Sequence, residues 1–127
     1  MNFSGEWNEQ SGWRPGLVFQ NNIGNKHSPN IIALPLTSII KKTTQPTHVV
    51  LLANKSGLPK DSVVLCESPE RMSKKRIGNY ITSLSKEQMK SVAIASLLAT
   101  SAISFIEPDE LYELRLKAIS LNATTVA

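Results

Sequence analysis

Two residue types in this chain are suited to hold a phosphate, and their positions suggest that they meet. Arg14 sits in Asn8-Glu9-Gln10-Ser11-Gly12-Trp13-Arg14-Pro15-Gly16, a polar loop that leads into the apolar run Leu17-Val18-Phe19. A proline disfavours helical backbone at the residue before it, so Arg14 is expected to be extended where the loop becomes a strand. Thr37 and Ser38 close a second apolar run after Leu34-Pro35-Leu36, and Lys41 and Lys42 follow. If the two runs pair antiparallel, the start of one lies beside the end of the other, which brings Arg14 near Thr37. A guanidinium offers a forked donor to two oxygens and a hydroxyl adds a third bond, a minimal phosphate clamp. Without a metal, such a clamp suits a substrate that carries its own nucleophile. RNA does: its 2′-hydroxyl need only be oriented in line while charge on the phosphate oxygens is stabilised. DNA lacks that hydroxyl. The plainer reading is a solvated surface arginine and a threonine that caps a turn, and spacing alone leaves both open.

Other chemistries find little support. His27 and His48 belong to different elements, and with one cysteine and scattered carboxylates they form no metal-ligand spacing. No Gly-rich loop precedes a helix, and no Gly-x-Ser-x-Gly occurs. Cys66 follows Val63-Val64-Leu65 and reads as a buried, inert thiol. His27 reads more readily as a ring packed at the base of a loop than as an acid or base.

The elements that would position the clamp form a strand-rich front and a helical back. Short Val-, Ile- and Leu-rich runs predict strands at Leu17–Gln20, Ile31–Leu36, Thr47–Ala53, Ser62–Glu67 and Ile77–Ile81, each bounded by turn residues. Their even spacing predicts a small barrel or curled sheet. Pro35 cannot donate to a ladder, so an edge or bulge is expected there. Ser85 with Gln88 three residues on is a capping box, and Met89, Val92, Ser96, Ala99 and Ile103 then lay out one helix face, suited to core or dimer contact. Pro108 suits the first turn of a second helix lined by Leu111, Leu114, Ala118 and Leu121. The 127 residues suit one domain. The net charge is +4, with two acids more than bases from Glu107 onward, so the preceding body carries the positive excess and suits an anionic partner. No signal-peptide pattern opens the chain, and Val92–Ile106 is too short to span a bilayer, so a cytoplasmic protein without membrane contact is expected.

Residues Asn8 to His48 resemble the MazF/PemK/Kid toxins of toxin–antitoxin operons. The resemblance rests on Glu9-Gln10-Ser11-Gly12-Trp13-Arg14-Pro15, Gln20-Asn21-Asn22-Ile23-Gly24-Asn25-Lys26-His27-Ser28-Pro29, Leu36-Thr37-Ser38 and Gln45-Pro46-Thr47-His48. Asp61–Leu65 and Ser85–Phe105 fall where the family has a strand and its last helix. The resemblance implies a β-rich α+β fold, a small SH3-like or CcdB-like curled β-barrel with C-terminal helices. It implies metal-independent, sequence-specific cleavage of single-stranded RNA at short sequences without a cofactor, a homodimer, and a cognate antitoxin whose tail folds over the toxin. The family's essential arginine falls on Arg14 and its strand-end threonine on Thr37. Glu9, Gln10, Trp13, Asn21, Asn25, Lys26 and Ser38 are the expected RNA contacts: Trp13 to stack a base or plug the barrel's end, the asparagines to read base edges or form turns.

Two features depart from the family pattern. Met1–Glu6 does not read as the family's opening strand, so that strand is expected to be missing from a toxin domain over 1–106, with an extra helical tail over 107–127. Ser68-Pro69-Glu70-Arg71 also replaces the family's glutamine and basic residue. The alternatives are a relative that only dimerises and binds antitoxin or RNA, or a CcdB-like gyrase poison; the Arg-Pro loop argues against the latter. Arg71, Lys74, Lys75 and Arg76 read as a solvated basic face, or as a surface for RNA or an acidic antitoxin.

Overall fold

A computed structural model describes residues 1–3, 12–38 and 45–121. Glu9, Gln10, Lys41 and Lys42 lie outside the described residues. The fold is mixed α+β, with antiparallel sheets followed by C-terminal helices. In chain order the elements are β1 (Asn2–Phe3), β2 (Gly12–Trp13), β3 (Gly16–Val18), α1 (Asn22–His27), β4 (Asn30–Thr37), β5 (His48–Leu51), α2 (Ala53–Ser56), β6 (Ser62–Leu65), β7 (Glu70–Ser73), α3 (Lys86–Thr100) and α4 (Pro108–Leu121), with 3₁₀ turns at Lys74–Arg76 and Ala102–Phe105.

β4 organises the sheet. β3 pairs along one edge; β7 takes the first half of the other edge and β6 the second, with β5 beyond β6. Pro35 explains the division. Backbone N–H groups alternate direction along a strand, and the Leu36 N–H points to β3, where it meets the Pro15 carbonyl at 3.0 Å. The N–H that Pro35 lacks would point the other way, into the break between the β7 partners (Asn30–Ala33) and the β6 partners (Leu36, Thr37). Among the described residues no pairing joins β3 to β5, so the expected barrel is not closed there.

The core lies between this sheet and α3. Leu34, Leu36, Leu51, Leu58, Val64 and Cys66 pack with Val92 and Ala95. The capping box forms as expected: the Ser85 N–H donates to Gln88 Oε1 at 2.8 Å, and the Gln88 N–H donates to Ser85 Oγ at 3.1 Å. Ser101, left-handed at φ 55°, ends the helix. On the expected face Val92 is buried, while Met89, Ser96, Ala99 and Ile103 are half-buried.

Four expectations need correction. Asn2–Phe3 does form a strand, pairing with Gly12–Trp13, so the chain is not without one ahead of the loop. Phe3 is buried with Ile31, Ala33 and Met72. Gly16 makes room for this: a Cβ there would lie 2.5 Å from Met1 Sδ and 2.8 Å from Phe3 Cζ. Second, Ile77–Ile81 is not a strand. The pairing belongs to Glu70–Ser73, whose polar letters hide one inward side chain, Met72. Third, the polar turn after β3 closes into a helix, α1, because the Asn21 side chain caps it. Fourth, His27, at the end of α1, is exposed rather than packed.

Candidate active site

The β3–β4 register places the two candidate residues. Gly16 pairs with Pro35 and Leu17 with Leu34. Continued back through the Leu36–Pro15 hydrogen bond, the same register sets Arg14 opposite Thr37, with side chains on one face. The short N-terminal strand fixes the Arg14 backbone from the other side. Its N–H donates to the Met1 carbonyl at 3.0 Å, and the Met1 ammonium donates to the Arg14 carbonyl at 2.9 Å. Burial lowers the pKa of that ammonium below its ordinary value.

Arg14 and Thr37 line one cleft of about 320 Å³ with Trp13, Pro15, Leu36, Ser38, Pro59, Lys60 and Ser62. Both are half-buried, rooted in the sheet with solvent access. Among the described residues, two of the lining side chains are cationic and none is acidic. A cleft of this charge attracts an anion, and Arg14 with Thr37 can offer it N–H and O–H donors.

The other candidates divide. Ser38 is exposed and lines the cleft, and Trp13 lines it while 67% exposed. Trp13 therefore does not plug an interior. Asn21, Asn25 and Lys26 are on or beside α1 and do not line this cleft. The Asn21 carboxamide accepts from the Gly24 N–H at 2.8 Å, which is a cap. Asn25 Nδ2 donates to the Gln20 carbonyl at 3.2 Å. Lys26 is exposed.

Lys60, Pro59 and Ser62 escaped the sequence reading. They belong to the segment entering β6, and since Val63 pairs with Thr37 this segment must pass the end of β4. Asp61 turns elsewhere, its carboxylate accepting from the Ala53 N–H at 2.7 Å. Ser62 Oγ donates to the Lys60 carbonyl at 2.9 Å. The register carried the signal, and no local motif announces it.

Outside the cleft, the basic run is partly spent on structure. Arg76 pairs with Glu70 at 3.3 Å, and Lys74 Nζ donates to the Asn25 carbonyl at 2.5 Å. Lys75 and Arg71 are exposed. His48 Nε2 and Glu67 Oε1 are 2.6 Å apart. Cys66 is buried, and burial pushes its thiol above its ordinary value. The nearby Ser96 hydroxyl pulls the other way, without hydrogen-bond geometry of its own, and Glu67 adds to the rise. Among the described residues, no three His, Cys, Asp or Glu side chains are grouped to hold a metal, and no helix is long and apolar enough to cross a membrane.

Residues 1–98 match the family described as PemK-like, MazF-like toxin of type II toxin-antitoxin system. The chain is 41% identical over 97 residues to Endoribonuclease EndoA of Bacillus subtilis (strain 168), covering 76% of this chain and 84% of that protein. Among solved structures it resembles Mycobacterium tuberculosis toxin MazF-mt6, with a TM-score of 0.63 and 25% identity over 73% of this chain and 89% of that one. It also resembles an endoribonuclease in complex with its cognate antitoxin from Mycobacterial species, with a TM-score of 0.62 and 26% identity over 71% and 82% of the two chains.

Proposed function

The chain belongs to the PemK-like, MazF-like toxins of type II toxin–antitoxin systems, and from that premise we propose that it is a metal-independent endoribonuclease acting on single-stranded RNA. The observation that carries this reading is the shared cleft of Arg14 and Thr37, set opposite each other by the β3–β4 register. The 2′-oxygen attacks the adjacent phosphorus as the bond to the 5′-oxygen breaks, leaving a 2′,3′-cyclic phosphate and a 5′-hydroxyl. The 2′-hydroxyl gives up its proton to solvent and the departing 5′-oxygen takes one. Arg14 has donors only, so it stabilises charge on the non-bridging oxygens as it builds. The Thr37 hydroxyl holds the phosphate in line. Trp13 and Ser38 contact the RNA from the rim, with Asn21, Asn25 and Lys26 farther along the strand, and Glu9 and Gln10 are further RNA contacts in the same reading.

The same reading takes β1–β2 and the larger sheet as parts of one SH3-like or CcdB-like curled barrel, supported by the seating of Phe3 over Gly16. It takes the protein as a cytoplasmic homodimer neutralised by a cognate antitoxin. The exposed apolar side chains Leu97, Leu98 and Phe105 support protein contacts of this kind.

Incubation of the purified chain with single-stranded RNA and with DNA of the same sequence, both in excess chelator, tests the reaction. RNA ending in cyclic phosphate, with DNA intact, is the expected result. RNA left uncut, or cut only when a metal is added, would refute it.

A further inference from the structure

Trp13 is two-thirds exposed, at 67%, although tryptophan is a side chain that folding normally covers. It lines the cleft beside Arg14. One part of its ring is nonetheless held. A Cβ on Gly78 would lie 2.9 Å from Trp13 Cζ3, 3.6 Å from Cε3 and 3.8 Å from Cη2, all atoms of the six-membered ring. Gly78 has no left-handed backbone; only Gly12 and Gly57 have positive φ among the described glycines. Backbone conformation therefore does not demand a glycine at 78. What the missing side chain admits is the indole.

An aromatic ring held at one edge and two-thirds exposed can offer a face to a planar partner. We propose that a nucleobase flanking the phosphate held by Arg14 and Thr37 stacks on Trp13, and that Gly78 positions the ring for it. This rests on the reading of the cleft as an RNA site. It adds a base subsite and a positioning residue on a segment, 77–84, that contributes nothing else to the cleft. Because every base has a π-face, a stack of this kind strengthens binding without fixing sequence. Arg14 acts on the phosphate in the transition state, whereas Trp13 acts on the bound strand before and during reaction. Losing the platform should therefore raise KM much more than it lowers kcat.

The test uses the full chain and a mixed-sequence single-stranded RNA carrying 2′-fluoro groups, which binds but cannot be cut. In a Trp7→Phe background, Trp13 fluorescence should be quenched on binding. Trp13→Ala should weaken binding about fivefold or more, the low end of what one base stack supplies, and Trp13→Phe should recover most of it. Gly78→Val should weaken binding in the parent but have no further effect on Trp13→Ala, with the melting temperature unchanged. A sugar–phosphate strand of equal length without bases should bind the parent and Trp13→Ala equally well. Absence of quenching, or the same loss for Trp13→Ala on the base-free strand, would overturn the stacking subsite. Additive losses from Gly78→Val and Trp13→Ala would overturn the role of Gly78. Since the probe cannot be cleaved, a parent that quenches on it but leaves natural RNA uncut would refute the nuclease reading and leave the subsite standing.

Discussion

Thr37 stands opposite Arg14 because the next pair in register is tied, the Leu36 N–H donating to the Pro15 carbonyl at 3.0 Å. The two candidate phosphate ligands are thus tied by the ladder itself rather than by loop packing. Thr37→Val keeps the shape and the strand preference and removes only the hydroxyl. We expect kcat/KM to fall by about 10- to 100-fold, the cost of one hydrogen bond to a charged group, with an unchanged melting temperature. Parallel RNA-cleavage assays and melts check this; unaltered cleavage would remove Thr37 from the site.

Lys60 lines the cleft together with Arg14, on the segment that enters β6. If it meets a backbone phosphate, Lys60→Ala should weaken RNA binding and flatten the salt dependence. For a single strand, losing one phosphate contact reduces the slope of log K against log salt by about 0.7. Titrations at several ionic strengths give that slope, and an unchanged value would mean that Lys60 stays in solvent.

Phe3 is the inward side chain of the short N-terminal strand, 2% exposed against Ile31, Ala33 and Met72. Phe3→Ala should cost about 3–5 kcal/mol, as large-to-small changes in a core do. Denaturant unfolding measures it. A loss of less than about 1 kcal/mol would indicate that β1 contributes little to the core.

Cys66 is raised above its ordinary value of 9.0 chiefly by burial. A raised acid binds more protons folded than unfolded, so its contribution to stability is fully present below pH 9.0 and is lost as pH rises through the folded value. Stability of the parent should therefore fall above pH 9.0 more steeply than that of Cys66→Ala, once the baseline loss from the substitution is subtracted. At neutral pH, alkylation of the native thiol should be slow and should become fast in denaturant. Rapid native alkylation would contradict the burial.

Much of this arrangement was legible in the sequence where one residue type carries an unambiguous rule. Pro35 forced a break in the ladder, and Ser85 with Gln88 announced α3. Other parts depended on tertiary partners. Glu70–Ser73 has one apolar letter, and only pairing with Asn30–Ala33 makes it a strand. Asn2–Phe3 is too short for any periodicity, and Gly16 reveals its purpose only once Phe3 lies over it. In the site, Arg14 and Thr37 could be paired by assuming antiparallel neighbours. Lys60 could not, because its place follows from the β4–β6 register, which joins segments far apart in the chain.

The central claim is that Arg14 stabilises charge on a phosphate during RNA cleavage, and cleavage by Arg14→Ala tests it most directly. Measured on one single-stranded RNA in excess chelator, kcat should fall by about 10²–10³ or more, as when a preorganised donor is removed from a reaction centre, while the melting temperature stays within a few degrees of the parent's. Equal cleavage rates for Arg14→Ala and the parent would contradict the account.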